Sequence, residues 1–515
     1  MQLIILHYHL NRGGVTSVVE NHLRSLASLC GDARPDRVVV LYGGRAQAWN
    51  PELAGELPFA CELCEVPELE YDNHRPADGD LQAALEKVLS QFDRDSTILH
   101  IHNHSLGKNA AMAGVACQLA DEGWRLLLQI HDFAEDLRPT NYQHLLSSAE
   151  SVSELQSQLY PQAAQVHYVS LNRRDERVLV QAGIAVQHVH LLPNPVLDFP
   201  SPCDAEQLDT ARAELANALE LPPGQRFVLY PVRPIRRKNI GELLLWSMLV
   251  DDTTFALTLK PLNPQEDAAY QRWVQLAADL QLPVKFEIAS TTDLPFEAVY
   301  AAADAIITTS VTEGFGMVYL EASLTGKQLV GRSLPGISDD FVSSGMQFPG
   351  LTETMSIPVE LIDLSELKSY YAQQIKSLRN AYHLQDEGPA DVAAIDASFS
   401  GETVDFARLT VGQQWGLLKR LKTDATLRES LRHLNPVVGK LDQFSDDELA
   451  TTLVNNRRVI AEHYSPAVVG EQLREIYQTL LSSVPGNVTR GPGIARAILE
   501  RFVHPSRLFP IRLES

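Results

Sequence analysis

Residues 304–326 read DAIITTSVTEGFGMVYLEASLTG. The opening DAIITTS is apolar and β-branched, as expected of a buried parallel strand. VTEGFGM is a short loop with two glycines. VYLEASLTG is compatible with a helix that stops at Gly326, a usual helix-ending residue. A strand, a glycine loop and a helix in that order make an anion site. The helix start carries partial positive charge and unpaired N–H groups, and glycine lets a phosphate approach the backbone. Two carboxylates bracket the loop, Glu313 and Glu321. An acid beside an anion site has a cost unless it binds something else, and the hydroxyls of a sugar or ribose are natural partners.

The wider chain sets the frame. Its 515 residues suggest two or three domains. With 45% hydrophobic and 21% charged residues it reads as a soluble globular protein. The net charge of −22 argues against a nucleic-acid-binding surface. No apolar run reaches the roughly 18 residues of a membrane span. The start, MQLIILHYHL, reads as a first strand and lacks the features of a signal peptide. Five cysteines form no disulfide scaffold, so a reducing cytoplasm is inferred. Cys61 and Cys64 make a lone CxxC without further ligands at zinc-site spacing.

A βα rhythm runs through both halves. Leu3 to Leu6 is a strand, followed by a loop with Gly13 and Gly14 and a helix from about Val15. Arg37 to Tyr42 is a second strand, and 51–80 reads as an irregular loop. Ser96 to Ile101 is a third strand, leading into HNHSLGKN. His100, His102 and His104 alternate and would share one face of an extended chain. They could bind zinc. The preferred reading is histidines at the C-terminal mouth of a sheet beside a substrate cleft. Arg125 to Ile130 is another buried strand, with His131 at its end, the edge where open α/β sheets bind ligands. Val166 to Ser170 and HLLPNPV follow. Pro193, Pro195, Pro200 and Pro202 then interrupt regular structure, which places a domain boundary near Leu197. A helix over 204–219 bridges to a second domain with strands at 227–231, 254–259 and 284–288.

The pattern EGFGMVYLE, with seven residues between its glutamates, resembles the glutamate pair of retaining glycosyltransferases of family four. That resemblance implies the GT-B fold: two Rossmann-like, doubly wound α/β domains facing a cleft. It implies transfer of a hexose from a nucleotide-diphosphate sugar to an acceptor hydroxyl, on a sugar, small polyol or acid, or glycan, with retained configuration. Glu313 would lie near the transferred sugar and Glu321 would hold the ribose. Gly314, Phe315, Gly316, Met317 and Val318 would contact sugar and phosphate. Arg233 and Lys238 stand where that family holds the donor diphosphate. Fixed cations there stabilise the departing charge without a metal. Gly13 and Gly14 resemble the family's N-terminal GGV loop near the donor phosphates and acceptor. His131 resembles its strand-end histidine near the donor sugar.

The likeness covers roughly 1–345 and 450–483. The acceptor domain would span 1–197 and the donor domain 198–464. Residues 465–515 would pack back on the first domain. An inserted helical region at about 370–450 serves acceptor choice or self-association, or is solvent-facing decoration. Arg236 and Arg237 read as extra, exposed cations. Val232 stands where the family has glycine before the arginine, and KPLNPQE replaces its Gly-x-Gly-Pro. No cofactor and no metal are expected. The tail could instead make weak contact with a membrane surface or another subunit. No oligomeric state follows from the sequence. Two rivals stand beside the transferase: a GT-B sugar phosphorylase using inorganic phosphate, and a catalytically silent GT-B binding module.

Overall fold

Short runs such as QLIIL, RLLLQI and RFVLY bury nearly every side chain and so can sit only inside a sheet covered on both faces. The computed structural model describes residues 1–75, 79–197, 205–385, 388–443 and 446–513. The chain divides into two units. The first holds Met1–Leu197, Ile375–Asp386 and Ala461–His504, and the second holds Asp198–Gln374, Glu387–Ile460 and Pro505–Ser515.

The first unit has seven parallel strands: β1 (Gln2–Leu6), β2 (Arg37–Tyr42), β3 (Ala60–Glu65), β4 (Thr97–His102), β5 (Arg125–Ile130), β6 (Val166–Ser170) and β7 (Val189–Leu191). They lie in the order β3-β2-β1-β4-β5-β6-β7. The winding reverses between β1 and β4, which pair in register from Gln2↔Thr97 to Leu6↔Ile101. At such a reversal, the loops leaving adjacent strands diverge and open a crevice at the C-terminal edge. Leu3, Ile5, Val38, Ile98 and Leu127 form the core with Val19, Leu23 and Leu26 of the Gly14–Ala27 helix. Val469, Leu473 and Tyr477 of the Pro466–Ser482 helix join the same core. Gly470 allows the two helices to touch, since a Cβ there would stand 2.2 Å from the Ser25 carbonyl oxygen.

The second unit repeats the plan with β8 (Arg226–Tyr230), β9 (Thr253–Leu257), β10 (Val284–Lys285), β11 (Ala305–Thr308), β12 (Gln328–Arg332) and β13 (Gly350–Thr352). Their order is β10-β9-β8-β11-β12-β13, with the reversal between β8 and β11. The Ile240–Leu249 helix is buried at every position, which explains its largely apolar sequence.

Several expectations change. Within 51–80, β3 forms along Arg37↔Ala60 to Tyr42↔Glu65. It is an edge strand whose residues are all exposed or half-buried, so ACELCE carries no apolar signal. The strand expected over 284–288 stops at Lys285, because Glu287 turns left-handed at φ 56°. The region 370–450 is not purely helical. β14 (Ser356–Pro358) and β15 (Thr403–Asp405) make an antiparallel pair. Asp405 then reaches Arg332 of β12, which also binds Glu242, an ion triad buried within the second unit. Residues 375–386 belong to the first unit and 505–515 to the second. The proline cluster's Pro200 and Pro202, and Asp204 at the start of the bridging helix, lie outside the described residues; the helix is described over Ala205–Ala218.

Candidate functional site

The β8–β11 reversal gathers the charged groups of the second unit. After β8 the chain makes a 3-10 turn at Arg236–Lys238, a left-handed residue at Asn239 (φ 50°), and the Ile240–Leu249 helix. After β11 come Glu313 and the glycine loop, then the Met317–Leu324 helix. Hydrogen bonds hold the two turns together. Val311 N–H donates to the Arg237 carbonyl at 2.9 Å, and Thr309 Oγ1 donates to the Lys238 carbonyl at 2.8 Å. Tyr230 and Ser310 hydroxyls meet at 2.8 Å beneath them.

Lys238 Nζ donates to Glu313 Oε1, and Arg237 Nη1 stands 3.1 Å from Glu313 Oε2. Burial alone would push the Glu313 carboxyl up. The charges of the two cations, with hydrogen bonds from Lys238 and Ser310, outweigh it and hold the group at about 2. Burial, with Arg237 nearby, lowers Lys238. One carboxylate thus faces two cations, and the cluster of these three groups keeps a surplus positive charge. Arg237, read from sequence as a spare surface cation, belongs to this cluster. Its signal was hidden among three consecutive basic residues. Arg233 Nη1 donates to the Lys260 carbonyl at 3.2 Å.

Gly316 caps the next helix at φ 91° and ψ 52°. A Cβ there would come 2.8 Å from the buried Tyr319 ring, so only glycine fits. Phe315 turns inward, edge-on to Phe341 at 5.4 Å, and Val318 is buried. Both can therefore meet a ligand only through their backbones. The first-turn amides, Met317 and Val318 among them, have no partners within the helix. Glu321 stands one turn on, half-buried, and burial pushes its carboxyl up to about 7. It can serve as a hydrogen-bond donor or acceptor toward a hydroxyl near neutral pH.

In the first unit the β1–β4 reversal gathers histidines. His131 follows β5 and is 8% exposed; burial pushes it down to about 4, so it is neutral. Asn103, left-handed at φ 59°, accepts from the His131 amide at 2.8 Å and the Asp132 amide at 3.2 Å. Nothing in the sequence pattern marked Asn103 for that role. The same left-handed turn separates His104 from its neighbours. His104 bonds the Leu159 carbonyl, and only His100 and His102 share a face. Gly13 is extended at φ 179° and starts the Gly14–Ala27 helix without a side-chain cap. Space is open around both Gly13 and Gly14, so neither is required by backbone strain.

Two parallel doubly wound sheets, each with a polar cluster at its reversal, define the GT-B glycosyltransferase fold. Anabaena Alr3699/HepE, solved with UDP and glucose, is similar with a TM-score of 0.54 and 14% identity, covering 93% of this chain and 99% of that one. Sucrose-phosphate synthase of Thermosynechococcus elongatus is similar with a TM-score of 0.50 and 15% identity, covering 93% and 98%. In sequence, a mannosylglucosyl-3-phosphoglycerate synthase of Petrotoga mobilis is 27% identical over 433 residues, 80% of this chain and 79% of that protein. No family model matches the chain. Among the described residues no helix is long and apolar enough to cross a membrane.

Proposed function

We propose that this chain is a retaining glycosyltransferase that moves a hexose from a nucleotide-diphosphate sugar to an acceptor hydroxyl, without a metal at the donor diphosphate. The observation that carries the reading is the Lys238–Glu313–Arg237 cluster beside the uncapped Met317–Leu324 helix. A departing diphosphate gains negative charge as the glycosidic bond breaks. Fixed cations and free amides at that point lower the barrier, a contribution of about 10²–10³-fold for a single well-placed donor. Glu321 would take the ribose hydroxyls. His131, neutral and fixed by Asn103, would accept or donate one hydrogen bond to the sugar.

The Petrotoga relative is named for a product built on phosphoglycerate, which supports an acidic acceptor. Lys108 and Arg138, which both lie near Asp132, are cations of the first unit suited to one.

The test is a donor screen. Purified protein is offered UDP-, GDP- and ADP-hexoses with phosphoglycerate-bearing glucosides, with and without EDTA. Expected is release of one nucleoside diphosphate, insensitive to EDTA, with the product's anomeric signal matching the donor's. Phosphate-dependent cleavage of a disaccharide with no nucleotide would show a phosphorylase instead.

A further inference from the structure

His22, His100 and His102 lie together inside the first unit. His22 comes from the Gly14–Ala27 helix, and the other two from one face of β4. They are 1%, 0% and 1% exposed. One ring nitrogen of each lies within 4.8 Å of the other two. The His100 and His102 rings stack at 4.5 Å, with His22 at 5.8 and 6.0 Å from them.

Their hydrogen bonding is incomplete in a particular way. Both ring nitrogens of His22 and Nε2 of His102 are buried without a partner. A buried polar group without a partner costs about 1–3 kcal/mol, and such groups are uncommon. Two of the remaining nitrogens, His102 Nδ1 and His100 Nε2, are engaged as the outer nitrogens of metal-bound histidines usually are. His102 Nδ1 meets His131 Nε2 at 2.8 Å. His100 Nε2 meets the Gln129 side-chain oxygen at 2.8 Å, which places the His100 proton on Nε2 and its lone pair on Nδ1. Tyr477 hydroxyl donates to that lone pair at 2.9 Å.

We propose that His22, His100 and His102 form a binding site for one first-row transition-metal ion of the zinc, cobalt or nickel type. Three imidazoles without carboxylate or thiolate suit these ions and not magnesium or calcium. Burial holds all three rings neutral, the form that ligates. The ion joins His22 Nδ1 or Nε2, His102 Nε2 and His100 Nδ1, displacing the Tyr477 O–H donor. It fixes His102 with its proton on Nδ1, donating to His131. The site is a positioning device for the first helix and, through His102, for His131. It departs from the sequence expectation of no metal. It is independent of the proposed transfer chemistry, which uses none at the diphosphate.

The test is a Co²⁺ titration of chelator-treated, dialysed full-length protein, followed by visible absorption and by competition with Zn²⁺. Expected are one ion per chain, the strong visible bands of low-coordinate Co²⁺, their loss on adding Zn²⁺, and a rise in melting temperature. His22→Gln and His102→Gln should each weaken binding at least about tenfold. His167→Gln, in the separate His167–His190 pair, should leave it unchanged. Tyr477→Phe should tighten binding, because His100 Nδ1 is then released. If the glutamine variants do not fold, the wild-type and Tyr477→Phe titrations decide the matter. Absence of Co²⁺ bands in wild type overturns the proposal, with a bridging water satisfying the three rings. Equal affinity of a folded His22→Gln, or no gain in Tyr477→Phe, overturns it as well.

Discussion

Lys238, from the turn after β8, ends on the carboxylate of Glu313, from the turn after β11. The pair joins the two loops that diverge at the sheet's winding reversal, where an α/β sheet opens its ligand crevice. Arg237 takes the second oxygen of the same carboxylate at 3.1 Å. A structural ion pair needs one cation. The second makes the cluster net positive, which suits an anionic ligand.

Lys238→Ala should therefore separate two effects. Arg237 still neutralises Glu313, so the stability loss stays below the roughly 3–5 kcal/mol of a buried pair stripped of its only partner. The transferring step loses a fixed cation and should slow about 10²–10³-fold. Denaturant unfolding and kcat on the same preparation check both. Unchanged turnover would remove Lys238 from the site.

The two carboxyls that bracket the glycine loop bend the pH–stability curve in opposite directions. Glu313 is held at about 2, below its ordinary 4.5. Its contribution is present above 4.5 and lost as pH falls through 2. Glu321 is raised to about 7. In that window the folded chain keeps a proton the unfolded chain gives up, so its contribution is present below 4.5 and lost as pH rises through 7. Relative to wild type, Glu321→Gln should gain stability on going from about pH 4 to about pH 8. Glu313→Gln should lose it from about pH 2 to about pH 5. Melting curves for the variants that stay parallel to wild type across these windows would contradict both assignments.

The parallel strands were legible because their runs, such as RVVVLY and RLLLQI, are buried on both faces and so mostly apolar. β3 was not, because an edge strand written ACELCE has no buried face to mark it. Glu313 and Lys238 were legible through their spacing within motifs. Arg237 was not, because it sits among three consecutive basic residues and nothing in their order tells which of them turns to the carboxylate. The grouping of His22 with His100 and His102 was hidden for another reason. It depends on helix-to-strand packing across distant parts of the chain, which no local periodicity records.

Asn103 offers a test of how His131 is held. Its left-handed backbone and its two accepted amide bonds both vanish as advantages in Asn103→Ala, at a cost of about 1–3 kcal/mol. Asn103→Gly restores the backbone freedom but not the acceptor. The glycine variant should therefore melt higher than the alanine variant. Hydrogen exchange at the His131 and Asp132 amides should quicken in both. Protected amides in either variant would show that another group fixes the loop.

Gly316 and Gly13 both precede helices, yet they should respond differently to a methyl group. At Gly316 the backbone is left-handed, and the added Cβ meets the ring of Tyr319, which is fully buried. Gly316→Ala should cost about 1–3 kcal/mol of stability and distort the amides that the proposed diphosphate would meet. At Gly13 the backbone is extended and the nearest atom, the Asn11 carbonyl oxygen, stands 3.9 Å away. Gly13→Ala should leave stability within about 0.5 kcal/mol of wild type. Any loss of turnover in that variant then reports ligand approach and not folding. Melting temperatures with steady-state kinetics on both variants check the contrast. A marked destabilisation by Gly13→Ala would mean that its glycine serves the fold, and full activity in it would remove that loop from the substrate site.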